Sequence, residues 1–175
     1  MLTENEIPQH AGSEKSLPSA ESTLLIQGVF DESFFDRLQG QGVKEVYVLE
    51  GRPKLEALRY SCEQLVEHGI TPTVIADNMA GYLFCKELVK EVWLSYQVAD
   101  SERALCDIGA LILGVLGKKH SVPVRCYPAG KKYDLLGSHR DICYFNGTRV
   151  VSDRVKGYVP LLEWVSSNYI TEIHE

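Results

Sequence analysis

The sequence predicts an α/β domain with a mainly parallel sheet, helices on both faces and a C-terminal β-hairpin. Three observations carry this. Short β-branched and aromatic runs alternate with segments whose apolar residues recur at helical spacing. Gly, Pro, Asp and Asn stand at the boundaries between them. Near the C-terminus, Asn146-Gly147 separates two short apolar runs, Ile142 to Phe145 and Thr148 to Val151, as in a tight hairpin.

The elements follow in order. Residues 1–21 are rich in Glu, Ser, Pro, Gln and Ala and have little to bury, so a disordered tail is expected there, with one domain over 22–175. Thr23-Leu24-Leu25-Ile26 is a short apolar strand closed by Gln27-Gly28, and Asp31 or Ser33 caps a helix through Leu38. Val43 to Leu49 is a second strand, ended by the sharp turn Glu50-Gly51-Arg52-Pro53. Pro53 suits the first turn of a helix, whose buried face is Leu55, Leu58, Cys62, Leu65 and Val66 and whose end is His68-Gly69. Thr71 to Ala76 is the third strand, Asp77-Asn78 opens a helix through about Lys86, and Glu91 to Ser95 is the fourth strand. A loop over Tyr96 to Glu102 leads to a long apolar helix carrying Leu105, Ile108, Leu111, Ile112, Val115 and Leu116. Val122 to Tyr127 is a fifth strand, and Ser166 or Ser167 caps a last helix reaching Ile173. Strands and helices alternating at this rhythm imply right-handed βαβ crossovers.

Composition narrows the function classes. The chain has 175 residues and no apolar run near the length that crosses a membrane, and no leader pattern is read at its start. The five cysteines are widely spaced without a C-x-x-C pair, which argues for reduced thiols in a cytoplasmic protein rather than a disulfide framework or a metal site. The net charge of -6 argues against general nucleic-acid binding. Residues 118–156 nevertheless hold nine Lys/Arg against three acids, either a solvated basic face or a surface for a phosphate-bearing ligand or acidic partner.

In an open α/β sheet, ligands bind beyond the carboxyl ends of the strands. That rule selects Gln27-Gly28, Glu50-Gly51-Arg52, Asp77-Asn78 and Ser95-Tyr96-Gln97, with Cys106-Asp107 at the start of the long helix. Each has a plainer reading: Asp77 as an N-cap, Gly51 and Pro53 as turn chemistry, Glu50 and Arg52 as a structural ion pair. Cys106 near a helix start invites a nucleophile, but Asp107 beside it opposes the thiolate. The chain contains neither G-x-G-x-x-G nor G-x-x-x-x-G-K-[ST], no H-E-x-x-H, and no assembled Ser-His-Asp set, so no cofactor or metal is expected.

The order of segments resembles the C-terminal half of two related groups. The matching text is Val46-Tyr47-Val48-Leu49-Glu50-Gly51-Arg52-Pro53, Leu55-Glu56-Ala57-Leu58-Arg59, Leu65-Val66-Glu67-His68-Gly69-Ile70 and Thr73-Val74-Ile75-Ala76-Asp77-Asn78-Met79-Ala80-Gly81. It continues through Ile108-Gly109-Ala110, Val122-Pro123-Val124, Pro160-Leu161-Leu162-Glu163 and Tyr169-Ile170-Thr171-Glu172-Ile173. One group is the alpha, beta and delta regulatory subunits of translation initiation factor 2B. The other is methylthioribose-1-phosphate isomerase, with ribose-1,5-bisphosphate isomerase close by. The resemblance implies a Rossmann-like domain, a homodimer made through this half, and a sugar-phosphate pocket completed by a helical N-terminal half that this sequence lacks. Glu50, Arg52, Arg59, Asp77 and Asn78 match its pocket pattern.

The departures are informative. The isomerases carry a catalytic cysteine after the first strand, where this sequence has Gln27-Gly28. They carry a catalytic aspartate after the fourth strand, where it has Ser95-Tyr96-Gln97, and Asn-Lys before the I-G segment, where it has Cys106-Asp107. Gln97 does not titrate, Gly28 has no side chain, and Asp107 replaces a phosphate-holding cation. Asp100 is the residue that would restore an acid. The expectation is a module with no catalytic residues, whose ligand-binding positions are Gln27, Gly28, Glu50, Arg52, Arg59, Asp77, Asn78, Gln97 and Asp107. Its expected partners are a second copy, another protein and a phosphorylated small molecule. The alternative is an isomerase-like enzyme or sensor for a sugar phosphate or nucleotide, closed by a partner chain. A role in guanine-nucleotide exchange rests on analogy alone.

Overall fold

The structure, a computed structural model, describes residues 24–175 apart from Asn146 and Asp153. The tail expected over residues 1–21, Thr23 of the first strand and Asn146 of the hairpin turn therefore lie outside the described residues. The elements are β1 (Leu24–Gln27), α1 (Glu32–Gly40), β2 (Glu45–Leu49), a π-helical turn (Ala57–Ser61) running into α2 (Cys62–Glu67), and β3 (Thr71–Ile75). A 3-10 turn (Asp77–Met79) leads into α3 (Ala80–Cys85), followed by β4 (Glu91–Ala99), β5 (Arg103–Asp107), α4 (Ala110–His120) and β6 (Val124–Pro128). The remainder is α5 (His139–Cys143), β7 (Tyr144–Phe145), β8 (Thr148–Arg149), β9 (Leu162–Ser166), a 3-10 turn (Ser167–Tyr169) and β10 (Glu172–Ile173).

The sheet runs β10-β6-β4-β1-β2-β3, all parallel, with β5 antiparallel to β4 and β9 antiparallel to β5. Both faces of its central strands are covered, which is why β1, β2 and the first part of β4 read as near-continuous apolar runs. Leu24, Ile26, Val46 and Val48 join Phe34, Phe35 and Leu38 of α1 and Leu65 of α2 in one core. Leu25, Tyr47 and Leu49 join Leu83 and Phe84 of α3 and Ala110 and Leu113 of α4 in the other. Phe34 centres the first core, stacked on Phe30 at 3.7 Å and edge-on to Phe35, Trp93 and Tyr127. The C-terminal hairpin is present as a separate two-stranded ladder, Tyr144 to Arg149 and Phe145 to Thr148.

Two expectations are corrected. The loop over 96–102 and the start of the long helix are instead an antiparallel hairpin, in which β4 runs on to Ala99 and β5 returns. Asp100 turns it, its Oδ1 accepting from the backbone N–H groups of Glu102 (2.9 Å) and Arg103 (3.0 Å). Ala104 and Cys106 alternate inward with period two, and the helix begins only at Ala110, after Gly109 at φ +99°. Cys106 and Asp107 are thus strand residues, not a helix start. The last helix is replaced by one 3-10 turn and β10. Ser166 does cap that turn, accepting from the Asn168 N–H at 3.3 Å. Thr171 then pulls the chain into the sheet, its N–H donating to the Val124 carbonyl at 2.7 Å and its hydroxyl accepting from the Val124 N–H at 3.0 Å.

The β4 register explains where the site lies. Residues Glu91 to Leu94 of β4 pair with β1, and Tyr96 to Ala99 pair with β5, while β6 occupies the opposite flank. β5 therefore continues the line of β1, and Asp107 comes to rest just beyond Gln27-Gly28, at the carboxyl end of the sheet.

Candidate ligand site at the carboxyl end of the sheet

The turn after β2 is held from the next strand. The Asp77 carboxylate accepts the Gly51 N–H at 3.0 Å on one oxygen and the Arg52 N–H at 2.7 Å on the other. A charged acceptor taking two backbone donors is a strong arrangement. Asp77 makes no side-chain cap to its own helix, so the N-cap reading is replaced by a clamp between two strand ends. Gly51 adopts φ +74°, and an added Cβ would sit 3.2 Å from that of Ala57, so the turn folds tightly back onto the π-helical segment. Asp77→Ala leaves two half-buried N–H groups without their acceptor. The expected cost is about 2–3 kcal/mol, read as a lowered urea midpoint, with faster amide exchange confined to residues 50–53.

Gly28 is structural for a different reason. At φ +106°, a Cβ there would fall 1.9 Å from Ser95 Oγ and 3.2 Å from an Asp107 carboxylate oxygen, while the Gly28 carbonyl accepts the Ser61 hydroxyl at 2.8 Å. The space a side chain at this position would occupy already belongs to Ser95 and Asp107.

Around that point lies a narrow cavity lined by Gln27, Gly51, Arg52, Pro53, Lys54, Glu56, Ala57, Asp107, Ile108, Tyr133 and Leu161. It has about 30 Å³ of room for solvent, enough for two or three waters at roughly 10–15 Å³ each, so it accepts the polar end of a ligand and not a whole sugar phosphate. Gln27 is buried, its amide nitrogen donating to the Ile108 carbonyl at 2.9 Å while its Oε1 has no donor. Burial pushes the Asp107 carboxyl up to about 7, helped by the negative Glu56 nearby. Glu56 itself lies 2.7 Å from the Lys131 ammonium. Burial, and then a hydrogen bond to Glu56, hold the Tyr133 hydroxyl well above its ordinary range. The cavity floor thus carries a carboxyl that burial raises to about 7, a second carboxylate, a phenol and an unfilled amide acceptor.

The expected site residues divide accordingly. Gln27, Arg52 and Asp107 line the cavity, and Gly28 and Asp77 shape it. Arg59 lies in an adjoining groove. Asn78 is exposed, and neither it nor Glu50 reaches the cavity lining. No ion pair joins Glu50 to Arg52 among the described residues; the Arg52 guanidinium sits 5.1 Å above the Phe145 ring. Gln97 lies behind the cavity, its Oε1 accepting the Tyr133 N–H at 3.1 Å, and so steadies the loop that carries Tyr133. Asp100 is committed to its exposed turn and restores no acid to the floor. A nucleophilic Cys106 is also ruled against, because the Cys126 sulfur and burial both push its thiol up. Sequence reasoning missed Glu56, Lys54 and Tyr133. Tyr133 follows β6 at the same end of the sheet and was within reach of the strand-end rule, but its loop read only as part of a basic stretch. That stretch divides: Lys118, Lys119 and Arg125 lie toward the opposite end of the sheet, and Lys131 and Arg140 at the site.

A model of the initiation factor 2 subunit family matches residues 34–173. The chain belongs to that family. Among its relatives, the methylthioribose-1-phosphate isomerase of Caldicellulosiruptor saccharolyticus is 32% identical over 158 residues, covering 83% of this chain and 45% of that protein. The isomerase of Carboxydothermus hydrogenoformans is 31% identical over 143 residues, covering 75% and 42%. The chain therefore spans less than half the length of these relatives. In structure it is similar to the delta subunit of translation initiation factor eIF-2B from A. fulgidus, with TM-score 0.77 at 19% identity over 87% of this chain and 51% of that one. It is equally close to the 5-methylthioribose 1-phosphate isomerase of Pyrococcus horikoshii, with TM-score 0.75 at 20% identity over 87% and 49%. Family membership bears out the resemblance drawn from the sequence, and both structural likenesses bear out the α/β fold.

Proposed function

We propose that this member of the initiation factor 2 subunit family is a non-catalytic regulatory or assembly module that binds a small phosphorylated effector at this site and works with a protein partner. One observation carries the reading: Asp107 stands on the cavity floor beside Glu56, where the isomerase resemblance implies a phosphate-holding lysine. Losing the cation forfeits an attraction that, at about 4 Å and an effective dielectric of about 20, is worth on the order of 4 kcal/mol, an upper figure, and an Asp107 carboxyl raised to about 7 offers nothing in its place. A phosphate is therefore driven from the floor to the cationic mouth, away from the geometry that isomerisation requires. The filled space at Gly28 and the withdrawal of Gln97 to the loop support the same view, since neither position offers a group to move a proton between sugar carbons. Solved relatives include the tetrameric eIF2B-beta2-delta2 complex from C. thermophilum, which supports an assembling role.

The test is turnover and assembly of the full chain. Methylthioribose 1-phosphate incubated with it and followed by phosphorus NMR is expected to remain unconverted, while light scattering is expected to give about twice the 19.6 kDa chain mass. Conversion at a rate above the buffer blank sinks the proposal. A strictly monomeric chain that captures no specific protein sinks the assembly half of it.

A second reading is favoured by one specific feature. A carboxyl titrating near 7 in a polar cavity is suited to general acid–base work, so an isomerase-like enzyme closed by a partner chain is the alternative. It requires that the complex turn over a sugar phosphate and that Asp107→Asn abolish the activity without preventing assembly.

A further inference from the structure

Beside the cavity, an open groove of about 450 Å³ runs between the Pro53–Arg59 segment and the α5–β7 segment. Arg52, Lys54, Arg59, Arg140, Tyr144 and Phe145 are among its walls. Its two carboxylates are already committed. Asp141 binds Lys54 at 2.9 Å and accepts the Ser138 N–H at 2.7 Å, and Glu56 lies 2.7 Å from Lys131. Arg52, Arg59 and Arg140 have no carboxylate partner among the described residues. The guanidiniums of Arg52 and Arg140 lie over Phe145 (5.1 Å) and Tyr144 (4.9 Å), which orients them without neutralising them.

Three permanently charged, forked donors around one groove match the geometry of phosphate oxygens, each capable of a bidentate contact. The groove shares Arg52, Pro53, Lys54 and Glu56 with the cavity, so the two are continuous. We infer that the phosphate of the effector binds in this groove, on Arg52, Arg59 and Arg140, while its hydroxyls point at Gln27 and Asp107. The inference rests on the effector-binding reading above and deepens it: the ligand is a phosphate ester or diphosphate, and the α5–β7 segment supplies one of the cations. Such chemistry comes from a sugar phosphate or from a nucleotide, and both carry the same anion.

Titration calorimetry of the full chain at low salt, with inorganic pyrophosphate, ribose 5-phosphate and ADP as probes, tests it. All bind if the groove reads only the anion, and whichever organic probe binds more tightly than pyrophosphate identifies the source. Arg59→Ala/Arg140→Ala is expected to weaken pyrophosphate by at least about tenfold. Lys118→Ala/Lys119→Ala, at the other end of the sheet, is expected to leave it unchanged. Asp107→Asn is expected to alter ribose 5-phosphate binding and spare pyrophosphate. If pyrophosphate binds with the stated arginine dependence but ribose 5-phosphate does not bind, the groove stands and the cavity reading falls. The inference is overturned if pyrophosphate does not bind at millimolar concentration, or if the folded double arginine variant binds it like the parent.

Discussion

Asp107→Asn stabilises the protein at pH 8 by up to about 4 kcal/mol and changes its stability at pH 4 by only a few tenths. The sign follows from the direction of the shift. Burial raises the folded carboxyl from 3.8 to about 7, so the folded state prefers the protonated form. Below the unfolded value both states are protonated and the residue costs nothing. As pH climbs toward the folded value, the unfolded chain loses its proton first, and stability drains away until about pH 7, above which the full penalty remains. Asparagine has nearly the same shape and no charge to desolvate, so it removes the penalty where the penalty exists. For a domain of this size the gain at pH 8 corresponds to about 10 °C in midpoint. Urea melts of both proteins from pH 4 to pH 8 check it: two parallel stability curves would refute the raised carboxyl, whereas curves that diverge between about pH 4 and 7 support it. A residue retained at this cost is what a binding site demands and a purely structural core does not.

Gly28→Ala is expected to destabilise the protein by about 2–5 kcal/mol. Two effects add. A Cβ at φ +106° incurs the left-handed penalty, about 1–2 kcal/mol. It also collides with Ser95, whose Oγ lies 1.9 Å and Cβ 2.7 Å from where the new carbon must go, an overpacking cost of about 1–3 kcal/mol. Ser95→Gly in the same chain removes the collision and leaves the backbone strain, so the double variant recovers about half the loss. A double-mutant cycle by urea denaturation reads the coupling directly. A Gly28→Ala variant within 1 kcal/mol of the parent means that there is room for a side chain here, and the argument that this position is closed to a catalytic group fails with it.

Sequence reading succeeded where one local pattern had one structural meaning. β1, β2, β3 and the first half of β4 are runs of branched and aromatic residues between turn signals, and the double-sided burial of β1, β2 and β4 follows from the parallel arrangement, while β3 at the edge is left largely exposed. Reading failed where two periods overlapped. Leu105, Ile108, Leu111 and Ile112 fit a helix, yet Ala104 and Cys106 alternate as a strand, and the change of period falls at Gly109. The competing signal was in the text: Ala99-Asp100-Ser101-Glu102 is turn chemistry of the Asx kind, and Asp100 does hold that turn. β9 was missed because Leu161-Leu162-Glu163-Trp164-Val165 has no regular alternation; its partner is β5, an element the sequence had hidden inside the helix. At the site, the strand-end rule found Gln27, Arg52 and Asp107. It did not find Glu56 or Tyr133, whose importance lies in contacts between a turn after β2 and a loop after β6. It also misassigned Asp77, because an aspartate before a helix looks the same whether it caps that helix or clamps the neighbouring turn.

The Asp107 carboxyl, raised by burial to about 7, stands where the isomerase resemblance implies a cation. Carbon-13 NMR of aspartate-labelled protein, titrated from pH 4 to pH 9 and assigned by Asp107→Asn, measures it most directly. One carboxyl resonance is predicted to titrate with a midpoint near 7, as burial beside Glu56 requires, and to vanish in the variant. A midpoint below about 5 for Asp107 would mean an ordinary ionised carboxylate, and would contradict the account.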